Sequence, residues 1–238
     1  MSEKSPYDPL APYYREYAER KSVYLNAVDQ FILGRVPSGA ESLLDVGAGD
    51  GVRGMALARQ MKMKYTVLCD SSAEMAARCR EQDASDVWER AAEDLPDMEK
   101  RFDVIICLWN VLGHLPSRVE RVGALTKMKN LLKDQGRIFF DVNNRHNASS
   151  YGRLRVLARI VIDAVYFDER RGNATFDWEI NGKTYPGMGH LFTPREIEST
   201  IGESGLRVME RRSIDYATGI VSDSSLMGQL VYMIAPQS

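Results

Sequence analysis

The sequence predicts a doubly wound α/β fold built on a mostly parallel sheet. Four short runs are nearly continuous in apolar residues, as strands covered on both faces are: SLLDV (42–46), YTVLCD (65–70), DVIICLW (103–109) and RIFFDVN (137–143). Segments of helical periodicity separate these runs, as crossover helices separate parallel strands. Because ligands of such sheets bind at the carboxyl ends of the strands, functional residues are expected just after each strand.

Helix start signals stand between the predicted strands. Three serine or threonine residues are followed three positions later by glutamate, the capping-box spacing: Ser71–Glu74, Ser117–Glu120 and Thr193–Glu196. A repeat of three after Ser117 predicts one buried helical stripe: Val119, Val122, Leu125, Met128 and Leu131. Near the end, LRVMERRSIDY and QLVYMIAP predict two further strands with no crossover helix between them.

Two regions depart from this rhythm. Residues 1–40 are predicted to form a helical lid of one or two helices that is rich in tyrosine: Tyr7, Tyr13, Tyr14, Tyr17 and Tyr24. Residues 41–238 form the main domain, with an insertion at about 145–190. In the insertion, a helix from about Tyr151 to Tyr166 can place Leu154, Leu157, Val161 and Val165 on one face. TFDWEI and KTYPGMGHLF then predict an antiparallel pair joined through Asn181-Gly182. Both regions are expected to lie near the site.

Composition narrows the classes of partner. A net charge of -2 and a pI near 6.0 give no global basic field, so nucleic acid and membrane surfaces are not expected, and a small molecule is. The insertion is locally basic, which is typical of a solvated helix face or, alternatively, of an anionic substrate. Cys69, Cys79 and Cys107 lack C-x-x-C spacing, which indicates buried thiols and neither zinc nor disulfides. The sequence shows no apolar leader and no membrane-spanning segment, so a cytoplasmic protein is expected. A monomer or homodimer without a metal site is expected as well.

The stretch SLLDVGAGDGVRGMALA contains a glycine-rich turn after the first predicted strand. Gly49 to Gly54 fits the pattern G-x-G-x-x-G of dinucleotide sites. Asp45 at the end of the strand argues against a phosphate, because a carboxylate there would repel it. A ligand that presents an ammonium group near the loop is favoured.

Five motifs in order resemble those of the class I S-adenosylmethionine-dependent methyltransferases of small molecules. They are Asp45-Val46-Gly47-Ala48-Gly49-Asp50-Gly51, Asp70-Ser71-Ser72-Ala73-Glu74-Met75, Ala91-Ala92-Glu93-Asp94-Leu95-Pro96, the segment from Phe102 to Leu115, and Leu191-Phe192-Thr193-Pro194-Arg195-Glu196-Ile197 with Gly205-Leu206. The resemblance runs from about Glu41 to Ala235, apart from the insertion. It implies a Rossmann-like, mostly parallel sheet of seven strands with an antiparallel C-terminal strand. In the third motif, Ala91 stands where many relatives have an aspartate for the adenine amino group.

The resemblance also implies S-adenosyl-L-methionine as cofactor, with S-adenosyl-L-homocysteine as product. The implied cofactor-binding residues are Asp45, Gly47, Ala48, Gly49, Asp70, Ser71, Met75, Ala92, Glu93 and Leu108. The carboxylate of Asp70 is expected to accept hydrogen bonds from both ribose hydroxyls, for which an acceptor-only group is suited. The Met75 side chain is expected to lie against adenine.

On the acceptor side, His114 is the candidate general base, although a histidine at a helix start can be only a local cap. The candidate substrate neighbours are Tyr14, Tyr17, Asn110, Asn143 and Tyr151. The N-terminal tyrosines could pack on the core or surround a cation through their ring faces. The expected function is methyl transfer to a nitrogen or oxygen of a small-molecule metabolite. The alternatives are a nicotinamide-dependent oxidoreductase and a non-catalytic protein that binds S-adenosylmethionine.

Overall fold

The computed structural model describes residues 11–180 and 183–237. After a short 3-10 turn come two helices, α1 (Tyr14–Glu19) and α2 (Ser22–Leu33). The alternating part of the chain then consists of β1 (Ser42–Val46), α3 (Val52–Gln60), β2 (Tyr65–Asp70), α4 (Ala73–Cys79), β3 (Asp86–Glu89), β4 (Phe102–Cys107), α5 (Val111–His114), α6 (Arg118–Leu131) and β5 (Leu132–Val142). Tyr7 lies outside the described residues.

The insertion and the C-terminal part complete the chain. The insertion forms α7 (Ala148–Tyr151), α8 (Arg153–Val165), β6 (Asn173–Ile180) and β7 (Lys183–His190). The remaining elements are α9 (Pro194–Glu203), β8 (Leu206–Ile214), β9 (Val221–Ser222) and β10 (Gln229–Pro236). Among the helices in the described part of the chain, none is both long and apolar enough to cross a bilayer.

The main sheet has the strand order β3-β2-β1-β4-β5-β10-β8-β9, and β6 and β7 form a separate antiparallel pair. The strands from β1 to β5 pair in parallel, whereas β10 runs antiparallel to both β5 and β8. The doubly wound fold and the antiparallel C-terminal strand are thus confirmed. The two-residue strand β9 adds an eighth strand at the edge, beyond the seven expected.

The sheet is buried on both faces, which explains the continuous apolar runs. Leu44 and Val46 belong to one core cluster with residues of α6 and α9, whereas Leu43 belongs to a second cluster with residues of α2. The three cysteines are buried and free. Strands β1, β2 and β10 begin and end where the sequence predicts them. Strand β5 starts five residues earlier than predicted, because α6 runs into it without a loop.

Two helix predictions need correction. The cap of α4 is Ser72 and not Ser71, since the Ser72 hydroxyl accepts a hydrogen bond from the Met75 amide. The stripe on α6 fails at Val119, which is 81% exposed. A strict three-residue repeat drifts by about 60° at each step around an α-helix, so its members cannot all share one face. The capping boxes at Ser117 and Thr193 are confirmed.

The helix predicted in the insertion is broken at Gly152, whose φ of 81° ends α7 and starts α8. The antiparallel pair is confirmed, with Asn173 opposite His190. Its expected turn at Asn181-Gly182 lies outside the described residues.

Candidate functional site

The glycine loop after β1 needs glycine at three positions. Gly47, Gly49 and Gly51 have φ angles of 75°, 58° and 74°, in the left-handed region that side chains disfavour. The amides of Gly47 and Ala48 donate to the Cys69 carbonyl at 2.8 and 2.9 Å. The loop is therefore fastened to the end of β2, as a turn at the carboxyl edge of a parallel sheet requires.

Neighbouring elements approach this loop more closely than a Cβ atom would allow. A Cβ on Gly47 would lie 2.3 Å from the Val111 side chain, and one on Gly49 would lie 2.6 Å from the Tyr14 hydroxyl. A Cβ on Gly54, in α3, would lie 2.2 Å from a carboxylate oxygen of Asp45. The glycines thus leave room for α5, for α1 and for a carboxylate.

Asp70 is held by two backbone amides at the end of β2. Its Oδ2 accepts from the Gly49 amide at 2.8 Å, and its Oδ1 accepts from the Ser72 amide at 2.9 Å. These contacts fix the carboxylate between the glycine loop and α4. Ser71 is exposed and Met75 is buried beside it.

A cavity of about 460 Å³ opens between α1, α2, the glycine loop and α3. Four of the expected cofactor residues line it: Asp45, Gly47, Ala48 and Leu108. Its charged lining residues are Arg15, Glu19, Asp29, Asp45, Asp50 and Arg53. Both signs of charge therefore face the same space, which suits a zwitterionic group.

Two ion pairs organise the charges of this cavity. Arg53 Nη2 lies 2.7 Å from Asp29 Oδ1, and Arg15 Nη2 lies 3.2 Å from Asp50 Oδ2. Burial raises the pKa of Asp45 to about 7, and the nearby Arg53 guanidinium only partly opposes that rise. A cation brought next to Asp45 would restore its charge.

The segment after β3 makes a single 3-10 turn, Ala92–Asp94. Ala92 is buried, and Glu93 carries a buried Oε2 with no hydrogen-bond partner among the described residues. A buried carboxylate oxygen without a donor is costly, so this oxygen marks a place where a ligand donor would fit.

The chain leaves β4 through two consecutive left-handed residues that are not glycine. Trp109 has a φ of 66° and Asn110 a φ of 63°. Non-glycine residues keep this strained backbone conformation only where surrounding contacts stabilise it, and such residues are frequent at functional sites. The Trp109 amide donates to Asp141 Oδ1 at 2.5 Å, and the Asn143 amide donates to Asn110 Oδ1 at 2.9 Å. Asp141 also accepts from the Tyr24 hydroxyl at 2.7 Å.

The side-chain amide of Asn110 faces the insertion. Its Nδ2 is buried and has no acceptor among the described residues. A Cβ on Gly189 of β7 would lie 3.8 Å from this nitrogen and 3.9 Å from His114 Cε1. Asn110 and His114 therefore border the same small space beside β7.

His114 is oriented by the insertion. Its Nδ1 lies 3.1 Å from the Met188 carbonyl, which only accepts, so the hydrogen bond places the proton of the neutral ring on Nδ1. Nε2 is then the basic nitrogen. Burial lowers the pKa of His114 below its ordinary value of 6.5, which keeps the ring neutral at physiological pH.

Aromatic rings cover the same end of the sheet. Tyr17 stacks on Trp109 at 5.5 Å, and Tyr14 lies 5.7 Å from that indole. Tyr185 of β7 belongs to a cluster with the tyrosines of the N-terminal segment. The N-terminal helices and the insertion thus meet over Trp109, whose indole nitrogen donates to the Tyr216 hydroxyl at 3.0 Å.

Several candidates have other surroundings. Tyr151 ends α7, and the Arg159 guanidinium lies 4.5 Å over its ring. Asn143 is joined to Asn110 through its backbone. His190 is buried in a structural network, with Nε2 2.5 Å from Glu196 Oε1.

Sequence reasoning missed Trp109, Asp141, Arg53 and Asp29. One signal was available for Asp141, a carboxylate inside the apolar run RIFFDVN. A charged residue in a strand that is covered on both faces needs a partner, and here the partners are the Trp109 amide and Tyr24. Trp109 lies within the fourth motif, but the sequence does not single it out, because its role depends on an unusual backbone conformation.

Comparisons with known proteins agree with this geometry. Residues 43–136, which span β1 to the first part of β5, match the family model described as a methyltransferase domain. No curated protein matches the sequence.

Among solved structures, the chain is similar to an S-adenosylmethionine-dependent methyltransferase from Clostridium acetobutylicum, at 14% identity, with a TM-score of 0.65 and coverage of 98% of this chain and 100% of that one. It is also similar to an amino pentose methyltransferase from Micromonospora echinaspora, at 15% identity, with a TM-score of 0.65 and coverage of 94% and 96%. A third is a sugar N-methyltransferase from a Streptoalloteichus species, at 16% identity, with a TM-score of 0.63 and coverage of 100% and 95%.

At these identities the structural likeness concerns the fold, while the family model identifies the domain that carries the glycine loop and Asp70. Residues 43–136 of the chain thus match a methyltransferase domain, and the chain shares its fold with S-adenosylmethionine-dependent methyltransferases.

Proposed function

We propose that this enzyme transfers the methyl group of S-adenosylmethionine to a nitrogen or an oxygen of a small-molecule metabolite. One observation carries the proposal: a neutral, oriented histidine and an unpartnered amide border one space at the end of β4, beside the loop that follows β1. This arrangement offers a base and a hydrogen-bond donor where a methyl acceptor is needed.

The residues present fit the cofactor. Asp70, already held by the amides of Gly49 and Ser72, would accept hydrogen bonds from the ribose hydroxyls. The Glu93 oxygen that lacks a donor would accept one from the adenine amino group, where Ala91 offers none. Ala48, Ala92, Ser71, Met75 and Leu108 would border the rest. When bound, S-adenosylmethionine supplies an electrophilic methyl group on a sulfonium.

The cavity between α1 and α3 would hold the amino acid end of the cofactor. Asp45 would pair with the ammonium group, which would restore the charge that burial disfavours. Arg15 lies at the same cavity and would approach the carboxylate, because a guanidinium matches carboxylate geometry.

On the acceptor side, Asn110 Nδ2 would donate to the acceptor molecule, and His114 Nε2 would take the proton that an ammonium or hydroxyl loses on methylation. The hydrogen bond to Met188 keeps the ring turned for this purpose. Tyr14 and Tyr17 would border the reacting groups, since their ring faces attract cations. Asn143 would help to position Asn110. Tyr151 remains a candidate substrate neighbour.

The helices before β1 and the insertion at about 145–190 would act as lids that exclude water and align the two reactants. Two structural neighbours act on small molecules by their names, and one of them methylates a sugar nitrogen. Those names support a small-molecule acceptor here.

The first experiment is a calorimetric titration with S-adenosylmethionine, run beside NADH. We expect micromolar binding, no heat with NADH, and loss of binding in Asp70→Ala. Asp83→Ala, which removes an exposed carboxylate between α4 and β3, is the matched control and should bind normally. Heat with NADH alone would overturn the cofactor assignment.

A screen of amines and hydroxyl compounds then tests the transfer. Formation of S-adenosylhomocysteine that depends on one acceptor class supports the proposal. Tight cofactor binding with no turnover across a broad screen would favour a non-catalytic binding protein instead.

A further inference from the structure

Helix α8 of the insertion presents its apolar residues to solvent. Five aliphatic side chains on it are exposed: Leu154 (85%), Leu157 (56%), Val161 (62%), Ile162 (48%) and Val165 (84%). The side that faces the protein instead carries Val156, Asp163 and Arg159. At 100° per residue, Leu154, Val161 and Val165 fall within about 40° of one another, opposite Asp163. The usual polarity of a surface helix is therefore reversed.

This orientation is fixed by polar contacts. Asp163 Oδ1 lies 3.1 Å from Arg145 Nη2, and its Oδ2 lies 3.0 Å from His146 Nε2. Arg159 Nη1 donates to the Arg145 carbonyl at 3.0 Å. Rolling the helix to bury its aliphatic residues would break these buried contacts, and leaving one member of a buried ion pair alone is strongly unfavourable.

The exposed face is large enough to serve as an interface. Its five aliphatic residues expose on the order of 600 Å² of accessible surface, the upper end of what a monomer leaves uncovered. A stable interface takes about 800 Å² from each partner. The α8 face supplies most of that area by itself.

The spacing of the residues on this face is the same when it is read in either chain direction. Leu154, Ala158, Val161 and Val165 follow one another at intervals of four, three and four residues. When two such helices pack antiparallel, Leu154 of one lies opposite Val165 of the other, and Ala158 opposite Val161. The small side chain at Ala158 permits a close approach at the centre. A two-fold axis needs a self-complementary patch of this kind.

Charge points to the same partner. The first turn of α8 carries Arg153 and Arg155 and no acidic residue, although the amino end of a helix disfavours cations. An antiparallel second helix would bring its negative carboxyl end to these arginines. Anionic lipid headgroups would also pair with these arginines, and the vesicle experiment below separates the two partners.

We infer that α8 pairs antiparallel with α8 of a second copy of this chain, so that the enzyme forms a two-fold dimer through its insertion. The reversed helix is then the seam of the dimer, and the contacts of Asp163 hold each helix in the orientation that the partner requires.

Sedimentation velocity from about 1 to 200 μM tests the inference. We expect the wild type to shift from monomer to dimer with concentration, and Val161→Glu to weaken dimerisation at least about thirtyfold. Val119→Glu is the matched control, because Val119 is an exposed valine on another helix, α6, and is more exposed than Val161. Circular dichroism verifies that each variant is folded, and Leu157→Glu replaces Val161→Glu if that variant fails to fold.

Mixing variants tests the register. Leu154→Glu and Val165→Lys should each weaken the dimer alone, while an equimolar mixture should recover it through the facing charges. A wild type that stays monomeric, a dimer that Val161→Glu leaves intact, or a mixture that does not recover would each overturn the inference. Binding of a monomeric wild type to phosphatidylglycerol vesicles, lost in Val161→Glu, would assign the face to lipid instead.

Discussion

The two sides of the cleft at the end of the sheet are built by different means. On the side of the glycine loop, backbone hydrogen bonds hold the structure, because the amides of Gly47, Ala48 and Gly49 donate to groups at the end of β2. On the side of Trp109, side chains from separate elements meet around a strained backbone. The first arrangement is local in sequence, whereas the second depends on contacts across more than a hundred residues, such as Tyr24 with Asp141. Substitutions should therefore separate cofactor binding from turnover.

The largest effect is expected for His114→Gln, which should lower kcat by about 10² to 10⁴ and leave the affinity for S-adenosylmethionine unchanged. The proposed base is the neutral ring, and burial lowers its pKa below 6.5, so the wild-type rate should fall only in acid. The variant should lack that acid limb. Steady-state kinetics from pH 5 to pH 8 measure both, and an unchanged acid limb in the variant would assign the titration to another group.

Next comes a pair of glycines with similar backbones. Gly49→Ala should lower the affinity for S-adenosylmethionine at least tenfold, because its Cβ would collide with Tyr14 and disturb the amide that holds Asp70. Gly39→Ala is the control: Gly39 has a φ of 76° and open space around it. Both should lose about 1 kcal/mol of unfolding free energy from backbone strain. Calorimetry and urea unfolding compare the two, and equal affinities would contradict the close contact.

A third test concerns Asp45. Its carboxyl group, with a pKa of about 7, is largely neutral in acid, and pairing with an ammonium group requires the ionised form. The affinity for S-adenosylmethionine should rise on the order of tenfold from pH 5.5 to pH 7, with a proton released on binding. Asp45→Asn should bind more weakly and lose this dependence. A flat profile in the wild type would remove Asp45 from the ammonium site.

The smallest effect is expected at Tyr17. Tyr17→Ala should raise the KM of the acceptor a few-fold, as the loss of one half-buried cation–π partner does, with little change in cofactor affinity. Tyr13→Ala, in the same tyrosine cluster, is the control and should leave that KM unchanged. Equal effects of the two variants would indicate packing of the helix rather than contact with the acceptor.

The same contrast explains what the sequence could predict. The sequence predicts both ends of strands β1 and β2 correctly, because burial on both faces of the sheet requires a nearly uninterrupted run of apolar residues. Strand β3, Asp86–Glu89, gave no such signal because it is a short edge strand with partly exposed residues. The capping-box spacing predicts Ser71 as the cap because Glu74 stands three positions after it, whereas Ser72, whose backbone is extended, caps the helix without that glutamate spacing.

For the acceptor side, the position after a strand predicts His114 and Asn110, and the structure brings these two residues to one space. Asp141 stands out in the sequence as a carboxylate in an apolar run, but its bond to the Trp109 amide follows from the left-handed residues after β4, which the sequence does not reveal. It placed the aliphatic residues of α8 on one face correctly, but periodicity does not say whether a face points inward or outward. The ion pairs of Asp163 decide that question.

The position of Trp109 makes it a natural optical reporter. Its indole stacks on Tyr17 of the N-terminal segment and donates to Tyr216, so any opening of that segment would change the polarity around the ring and shift its emission. The sequence holds two other tryptophans, Trp88 and Trp178. Replacing both with phenylalanine would leave one fluorophore where the N-terminal helices meet the insertion, and a movement of these segments could be followed over time without a label.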